Sequence, residues 1–472
     1  MKKWLFCLFV GFSMLTGHTL ATAQTAEQSA ATVQPTAVAS GADASIPSPA
    51  AKPAPAAPSA PMVVASTTIN AGDTAWMLVS TALVLLMTIP GLALFYGGMV
   101  RKKNVLTMMM QSFSICCLIT VLWVVAGYSL AFTPGNGFIG GTSRLFLHGM
   151  GYENHGDGAQ LTVSHLAVTI PEAVYVMYQM TFAIITPALI TGAFADRMKF
   201  SSMLLFSGLW SLVVYVPIAH MVWEPTGWLA GKGILDFAGG TVVHINAGIA
   251  GLVCALVLGK RLGYGQEDMA PHNLGFSMIG AALLWVGWFG FNAGSALAAD
   301  GRAGFAMLTT QVAAASGALM WMLAEWRVKG KPTVLGLISG AVAGLVAITP
   351  AAGFVDAVGA IWIGLLSGAL CYGCVAYMKV RFGYDDSLDA FGIHGVGGIV
   401  GALLTGVFAK AAIGGNSGSL IVQAQGVLTT LIFSGVMTGL LLWAVDATLG
   451  LRVNPSQEHE GLDLALHGER LE

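Results

Sequence analysis

Charge is what this sequence has least of. Asp, Glu, Lys and Arg together make up 9% of its 472 residues, against roughly a quarter in soluble domains. So few charges cannot cover a water-facing surface, which excludes a soluble globular chain. Lys and Arg number 21 against 23 acidic residues, and that balance excludes the basic field a nucleic-acid binder needs. Cysteine is sparse: one of the six lies in the N-terminal targeting stretch and five lie in apolar runs, a placement unlike a disulfide framework. Cys371-Tyr-Gly-Cys374 formally matches C-x-x-C, but without a βαβ context it reads as buried small hydrophobes. No H-E-x-x-H, clustered Cys/His or paired nucleophile and base occurs, so neither a metal site nor a membrane hydrolase is expected.

Apolar residues are abundant, at 56%. Glycine, at 61 residues, is about twice its usual share, as expected where helices approach closely in lipid. Residues 1–23 read as a secretory signal peptide, with Lys2 and Lys3, an apolar run from Trp4 to Leu15, and the small-residue site Ala21-Thr22-Ala23. Residues 24–70 follow as an Ala/Pro-rich segment. Seven of the seventeen prolines fall in its first part, before about residue 62. It cannot bury a core, and disorder is expected there. The membrane domain is placed at 71–450 and a C-terminal tail at 451–472.

Eleven apolar runs of spanning character follow, at roughly 73–99, 104–132, 171–193, 200–223, 238–259, 272–296, 303–326, 333–349, 357–379, 389–411 and 420–448, the eighth of them short. Loops on one side, with the tail, carry fourteen Lys and Arg, and the alternating loops carry four. Positive charge favours the cytoplasmic side. The N-terminus is therefore expected outside and the C-terminus inside, in agreement with a cleaved signal.

Two short segments carry ionisable residues into these runs, Asp236-Phe-Ala-Gly-Gly-Thr-Val-Val-His244 and Asp389-Ala-Phe-Gly-Ile-His394. Imidazoles in hydrocarbon are costly unless they face a cavity or a partner. Their places in the fifth and tenth spans suggest two five-helix halves. Five is odd, so the halves insert with opposite orientation and enclose a pathway near the midplane. Asp236 and Asp389 sit at helix starts, where a carboxylate caps backbone N–H groups; for Asp236 a fixed charge attracting a cation is the alternative. Phe182, Trp223, Phe291 and Tyr178, with Ser295, would supply an aromatic box and a hydroxyl to a small cation.

Ala93-Leu-Phe-Tyr-Gly-Gly98, Pro217-Ile-Ala-His-Met-Val-Trp223, Asp236 to Asn246, Gly287-Trp-Phe-Gly-Phe-Asn-Ala-Gly-Ser295 and Phe391-Gly-Ile-His-Gly395 together resemble the ammonium transporter (Amt/Mep/Rh) family, in its bacterial Amt branch. The resemblance runs from about Thr74 to Gly461-Leu-Asp463. It implies an all-α membrane protein, not an enzyme, with eleven helices, two inverted five-helix repeats plus a final helix, and a pore inside each subunit of a homotrimer. It implies an outer ammonium site at Trp223, Phe182 and Ser295, gate rings Phe182 and Phe291, and paired pore histidines His244 and His394. Asp236 would be the outer carboxylate, and Trp288 would line the lower vestibule. Tyr178 stands where relatives often carry Phe, and the loop Glu224-Pro-Thr-Gly-Trp-Leu adds a carboxylate near the mouth.

The expected function is recruitment of NH4+ (methylammonium as surrogate) and conduction of NH3, with or without the proton, in a bacterial inner membrane, without cofactor or metal. The alternative is an ammonium sensor acting through a PII-type nitrogen regulator docked on the cytoplasmic tail.

Overall fold

The computed structural model describes residues 58–155 and 158–471. The expected signal peptide and the Pro-rich part of the segment after it lie outside the described residues. The end of that segment is ordered, contrary to the expected boundary at 70. Met62–Ala65 forms strand β1, which pairs antiparallel with β3 (Gly158–Val163), itself paired with β2 (Tyr152–His155). Leu161 and Val163 of β3 are buried where this small sheet covers one end of the bundle, and Val63 of β1 is exposed.

Among the described residues, ten helical stretches are long and apolar enough to cross a membrane: α1 Ala71–Met99, α2 Lys102–Phe132, α3 Glu172–Phe194, α4 Phe200–Trp223, α5 Gly240–Leu258, α6 Leu274–Ala296, α7 Gly301–Lys329, then, after α8, α9 Ala357–Phe382, α10 Phe391–Phe408 and α11 Leu420–Leu449. The eighth helix, α8, Val334–Ile348, has 15 residues, about 22 Å at 1.5 Å per residue. It can be short because it never faces lipid over its second half: Ile338 to Ile348 are all buried. The turn that continues it is held by other chain segments, with Ala238 N–H donating to Thr349 O and Phe237 N–H to Pro350 O. Eleven expected spans thus become ten full helices and one buried short one. The tail adds α12 (Pro455–Glu460) and α13 (Leu462–His467).

Glycines set the close contacts. Gly340 and Gly344 of α8 pack on Gly317, Ala313 and Trp321 of α7, and Gly290 and Gly294 of α6 pack on Ser80 and Leu83 of α1. These small-residue pairs therefore serve contacts within one chain. Regular α geometry is interrupted where the two halves meet. α1 breaks at Pro90, with Ile89 outside helical angles, and α5 and α10 both open with a π turn, Gly240–Ile245 and Phe391–Gly395. Single π turns concentrate at functional positions. Of the six π turns among the described residues, the two that open α5 and α10 carry His244 and His394, and three others interrupt α2, α4 and α9.

One end of the bundle, opposite the sheet, gathers the basic loops and the tail. Arg261 is fork-bonded to Asp385 at 2.8 and 2.9 Å, and fully buried Arg197 donates to the carbonyls of Ala193 and Asp385. Asp463 of α13 accepts the N–H groups of Leu106 and Thr107, and Asn104 accepts that of Leu462. The tail is thereby sewn to the start of α2.

Candidate functional site

Each histidine helix is started by a carboxylate eight residues upstream. Asp236 accepts N–H bonds from Gly239, Thr241 and Val242 at 3.2, 3.0 and 3.0 Å. In the second half the equivalent residue is Asp386, which accepts from Ala390 and Phe391 at 3.0 and 2.8 Å. This corrects the expected match with Asp389, and the capping role given to it. Asp389 has a left-handed φ of 59° and turns its carboxylate to Lys379 instead. The equal spacing of 236 to 244 and 386 to 394 is a signal the sequence carries.

The helices so started cross at Gly248 and Gly395. A Cβ on Gly248 would lie 2.2 Å from Gly395 N and 3.0 Å from the His394 carbonyl carbon. Only a glycine at 248 permits that approach, and it brings the imidazoles together: Nδ1 to Nδ1 is 3.3 Å, with ring centroids 5.4 Å apart and 20° between planes. A bond between two Nδ1 atoms requires one ring to donate and the other to accept. The pair shares a single N–H, and the two Nε2 atoms are left with opposite character, one acceptor and one donor. His244 Nε2 has no protein partner although it is buried.

A column of rings leads to this pair from the sheet end. Trp223 meets Phe182 edge-on at 5.9 Å, Phe182 meets Phe291 at 4.2 Å, and Phe291 meets His244 at 5.9 Å. Trp288 flanks His244 at 5.4 Å and is held by its indole N–H to Thr349 Oγ1 at 2.9 Å. Above the phenyl pair lies a cavity of ≈ 160 Å³ whose lining includes Tyr175, Gln179, Phe182, Trp223, Phe237 and Ser295. Below it, a second cavity is lined by both histidines, Trp288 and aliphatic or phenyl side chains such as Leu92, Phe95 and Ile185. It leaves ≈ 10 Å³ for the centre of a water-sized sphere, about one molecule in single file. At 4.2 Å the phenyl rings are in contact, so a solute passes between the cavities only when they move apart.

Ser295, Trp223 and Phe182 thus come together on the upper cavity, and Phe291, His244, His394 and Trp288 surround or adjoin the lower one. Two other candidates stand behind the walls. Tyr178 is fully buried, with its hydroxyl 3.0 and 2.9 Å from the Gly290 and Phe291 carbonyls and 3.1 Å from Ser295 Oγ. Ser295 Oγ also lies 2.9 Å from Phe291 O. With its one hydrogen engaged in either direction, Ser295 keeps lone pairs for an incoming donor. Asp236 holds the mouth by its backbone, since the Trp223 indole donates to Asp236 O at 2.8 Å. Gln179 is a lining residue the sequence reading passed over. Its amide stands in an otherwise apolar span, which is the available signal, and its Oε1 is buried without a partner.

A bundle of membrane-spanning helices with two cavities in line inside one chain fits the class of transport proteins. The family model described as the Ammonium Transporter Family matches residues 75–471. The chain is 50% identical over 410 residues to a protein of Aquifex aeolicus named "Ammonium transporter", covering 85% of this chain and 93% of that one. Against the Bacillus subtilis protein of the same name it is 48% identical over 408 residues, 84% and 98% of the two chains. Among solved structures, Saccharomyces cerevisiae Mep2 superposes with a TM-score of 0.75 at 36% identity over 83% of this chain and 89% of that one. A structure titled "Sensor Amt Protein" gives 0.76 at 27% identity, covering 84% and 98%. The chain belongs to the ammonium transporter family.

Proposed function

We propose that this protein recruits NH4+ at the upper cavity and passes NH3, with or without its proton, through the lower one. The observation that carries this reading is the unbroken column Trp223, Phe182, Phe291, His244, His394, which leads from a cavity offering acceptors to one too dry for an ion. Ammonium matches potassium in charge and nearly in size, but it has directional N–H donors and a proton to lose. In the upper cavity the ring faces of Trp223 and Phe182 attract a cation, while Ser295 Oγ and Gln179 Oε1 accept its N–H groups. Below the phenyl pair a bare charge would stand among hydrocarbon at a cost of many kcal/mol. A neutral molecule there finds one donor and one acceptor nitrogen on the histidine pair. The proton is therefore removed at or above the rings.

Trp223→Leu tests the mouth. Cation–π attraction is worth about 0.5–2 kcal/mol, so half-saturation for methylammonium uptake into proteoliposomes should rise roughly 2- to 30-fold. An unchanged value contradicts the assignment.

In orientation, the sheet end faces the periplasm of a bacterial inner membrane and the basic end the cytoplasm, since the Lys/Arg bias favours that direction. The resemblance implies a homotrimer, and it implies a PII-type regulator as partner at the tail. A sensing role acting through such a regulator is the second reading. What favours it is the tail fastened by Asp463 to the start of α2.

A further inference from the structure

A cluster of ionisable groups lies immediately behind the upper cavity and takes no part in the reading above. It comprises His220 and Glu224 at the end of α4 and His165 in the loop after β3. The flanking residues Trp223 and Leu166 line the cavity, which places the cluster within roughly 10 Å of a bound cation, given a Cα spacing of about 3.8 Å.

Hydrogen-bond geometry fixes the charges. His220 Nδ1 is 2.9 Å from Ala131 O and Nε2 is 2.8 Å from Asn136 O. Both partners are carbonyls, which only accept. A neutral imidazole has one N–H, so satisfying both contacts requires the imidazolium. Glu224 Oε2, 4.0 Å from His220 Nε2, supplies the counter-charge. The carboxylate is 1% exposed. Oε2 accepts Thr226 N–H at 2.6 Å as well as the Thr226 hydroxyl, and Oε1 lies 3.2 Å from His165 Nε2. Burial alone would raise the Glu224 carboxyl, but the bonds from His165 and Thr226 and the nearby His220 outweigh it and hold it below the usual range.

His165 is the member left open. Its Nε2 faces Glu224, while its Nδ1 is buried with no partner. Of the other groups near the cluster, Tyr175 of α3 lies within electrostatic reach of Glu224. The Glu172–Arg144 ion pair and Tyr128 adjoin it through Ser164 and Glu172. Asp236 lies across the Trp223 indole. His220 already carries both hydrogens and Glu224 none, so His165 alone has a state to change.

We propose that His165 is a specificity-determining residue of the cation cavity. When its Nδ1 is bare, the His165–Glu224–His220 cluster is neutral and the cavity holds ammonium; when that nitrogen takes a proton, the cluster carries one positive charge and repels the ion. This rests on the ammonium reading and adds external proton control to it. A unit charge about 10 Å away, in surroundings between protein and water, changes cation affinity by roughly threefold.

The test uses the full chain in liposomes, with ammonium concentration jumps at external values between about pH 5 and pH 8. Half-saturation of the wild-type protein should rise roughly threefold on acidification. His165→Gln keeps a donor toward Glu224 but has no second ring nitrogen, so its half-saturation should be flat with pH. A flat wild-type profile, or equal slopes in both proteins, overturns the proposal. Should His165→Gln fail to fold, Glu224→Gln decides. Losing the carboxylate disfavours the His165 cation, so the rise must move to more acid pH, and an unmoved midpoint overturns the proposal. A wild-type protein that passes no ammonium at any pH refutes the proposed function itself, a separate outcome.

Discussion

Replacing both pore histidines, His244→Leu with His394→Leu, should reduce ammonium flux roughly a hundredfold while leaving the fold intact. The two rings lie Nδ1 to Nδ1 at 3.3 Å and offer the only hydrogen-bonding side chains among those lining the lower cavity apart from the Trp288 indole, whose N–H is engaged by Thr349. A neutral ammonia molecule entering a leucine-lined passage gives up its water and receives nothing. Each lost hydrogen bond is worth about 1–1.5 kcal/mol, and two of them amount to about two powers of ten in rate. Both rings must go together. A single replacement strands the other ring's Nδ1 without a partner, which adds a destabilisation unrelated to conduction. Flux into proteoliposomes, with detergent melting as the control for folding, separates the two effects. Flux within about twofold of wild type would remove the histidines from the account.

Gly248→Ala adds one methyl group and should cost nearly as much. That methyl would stand 2.2 Å from Gly395 N and 2.3 Å from Gly395 Cα, where ordinary carbon contacts are about 3.5–4.0 Å. Backbone cannot rotate out of the way as a side chain can. α5 and α10 must part by more than about 1 Å, which opens the histidine contact beyond hydrogen-bond range. Overpacking of this kind destabilises by about 1–3 kcal/mol, and the expected loss of flux is tenfold or more. Gly373→Ala in α9 is the matched control, since nothing lies within 4 Å of a Cβ there. It should melt at or above the wild-type temperature. Similar behaviour of the two variants would mean that the crossing does not position the histidines.

Which features are legible in the sequence follows from which contacts are local. Span number and the candidate histidines were legible because hydropathy and buried charge are properties of single segments. The short α8 was anticipated as the weakest span, but not its reason, which is burial against α7 and the turn after it. The pairing of Asp236 with Asp386 was missed: Asp389 stands nearer its histidine and looks like a start signal, and only the backbone shows that its φ of 59° turns it away. Strand β1 escaped notice because Met62–Ala65 follows a Pro-rich stretch and pairs with residues about a hundred positions on. The Tyr178 hydroxyl, flagged as a departure at the mouth, proved to back Ser295. Gln179 was legible as an amide in an apolar span but was passed over, whereas the partners of Glu224 depend on contacts between distant loops and helices, which no spacing rule reports.

The proposed passage admits a species able to shed a proton and rejects one that is not. It is tested most directly by reading current and internal pH together in liposomes containing the wild-type protein, under equal inward gradients of ammonium and of potassium. Ammonium should give a response, with an internal pH change that reports how much of the proton accompanies ammonia, and potassium should give no current above empty liposomes. Potassium currents comparable to those with ammonium would contradict it.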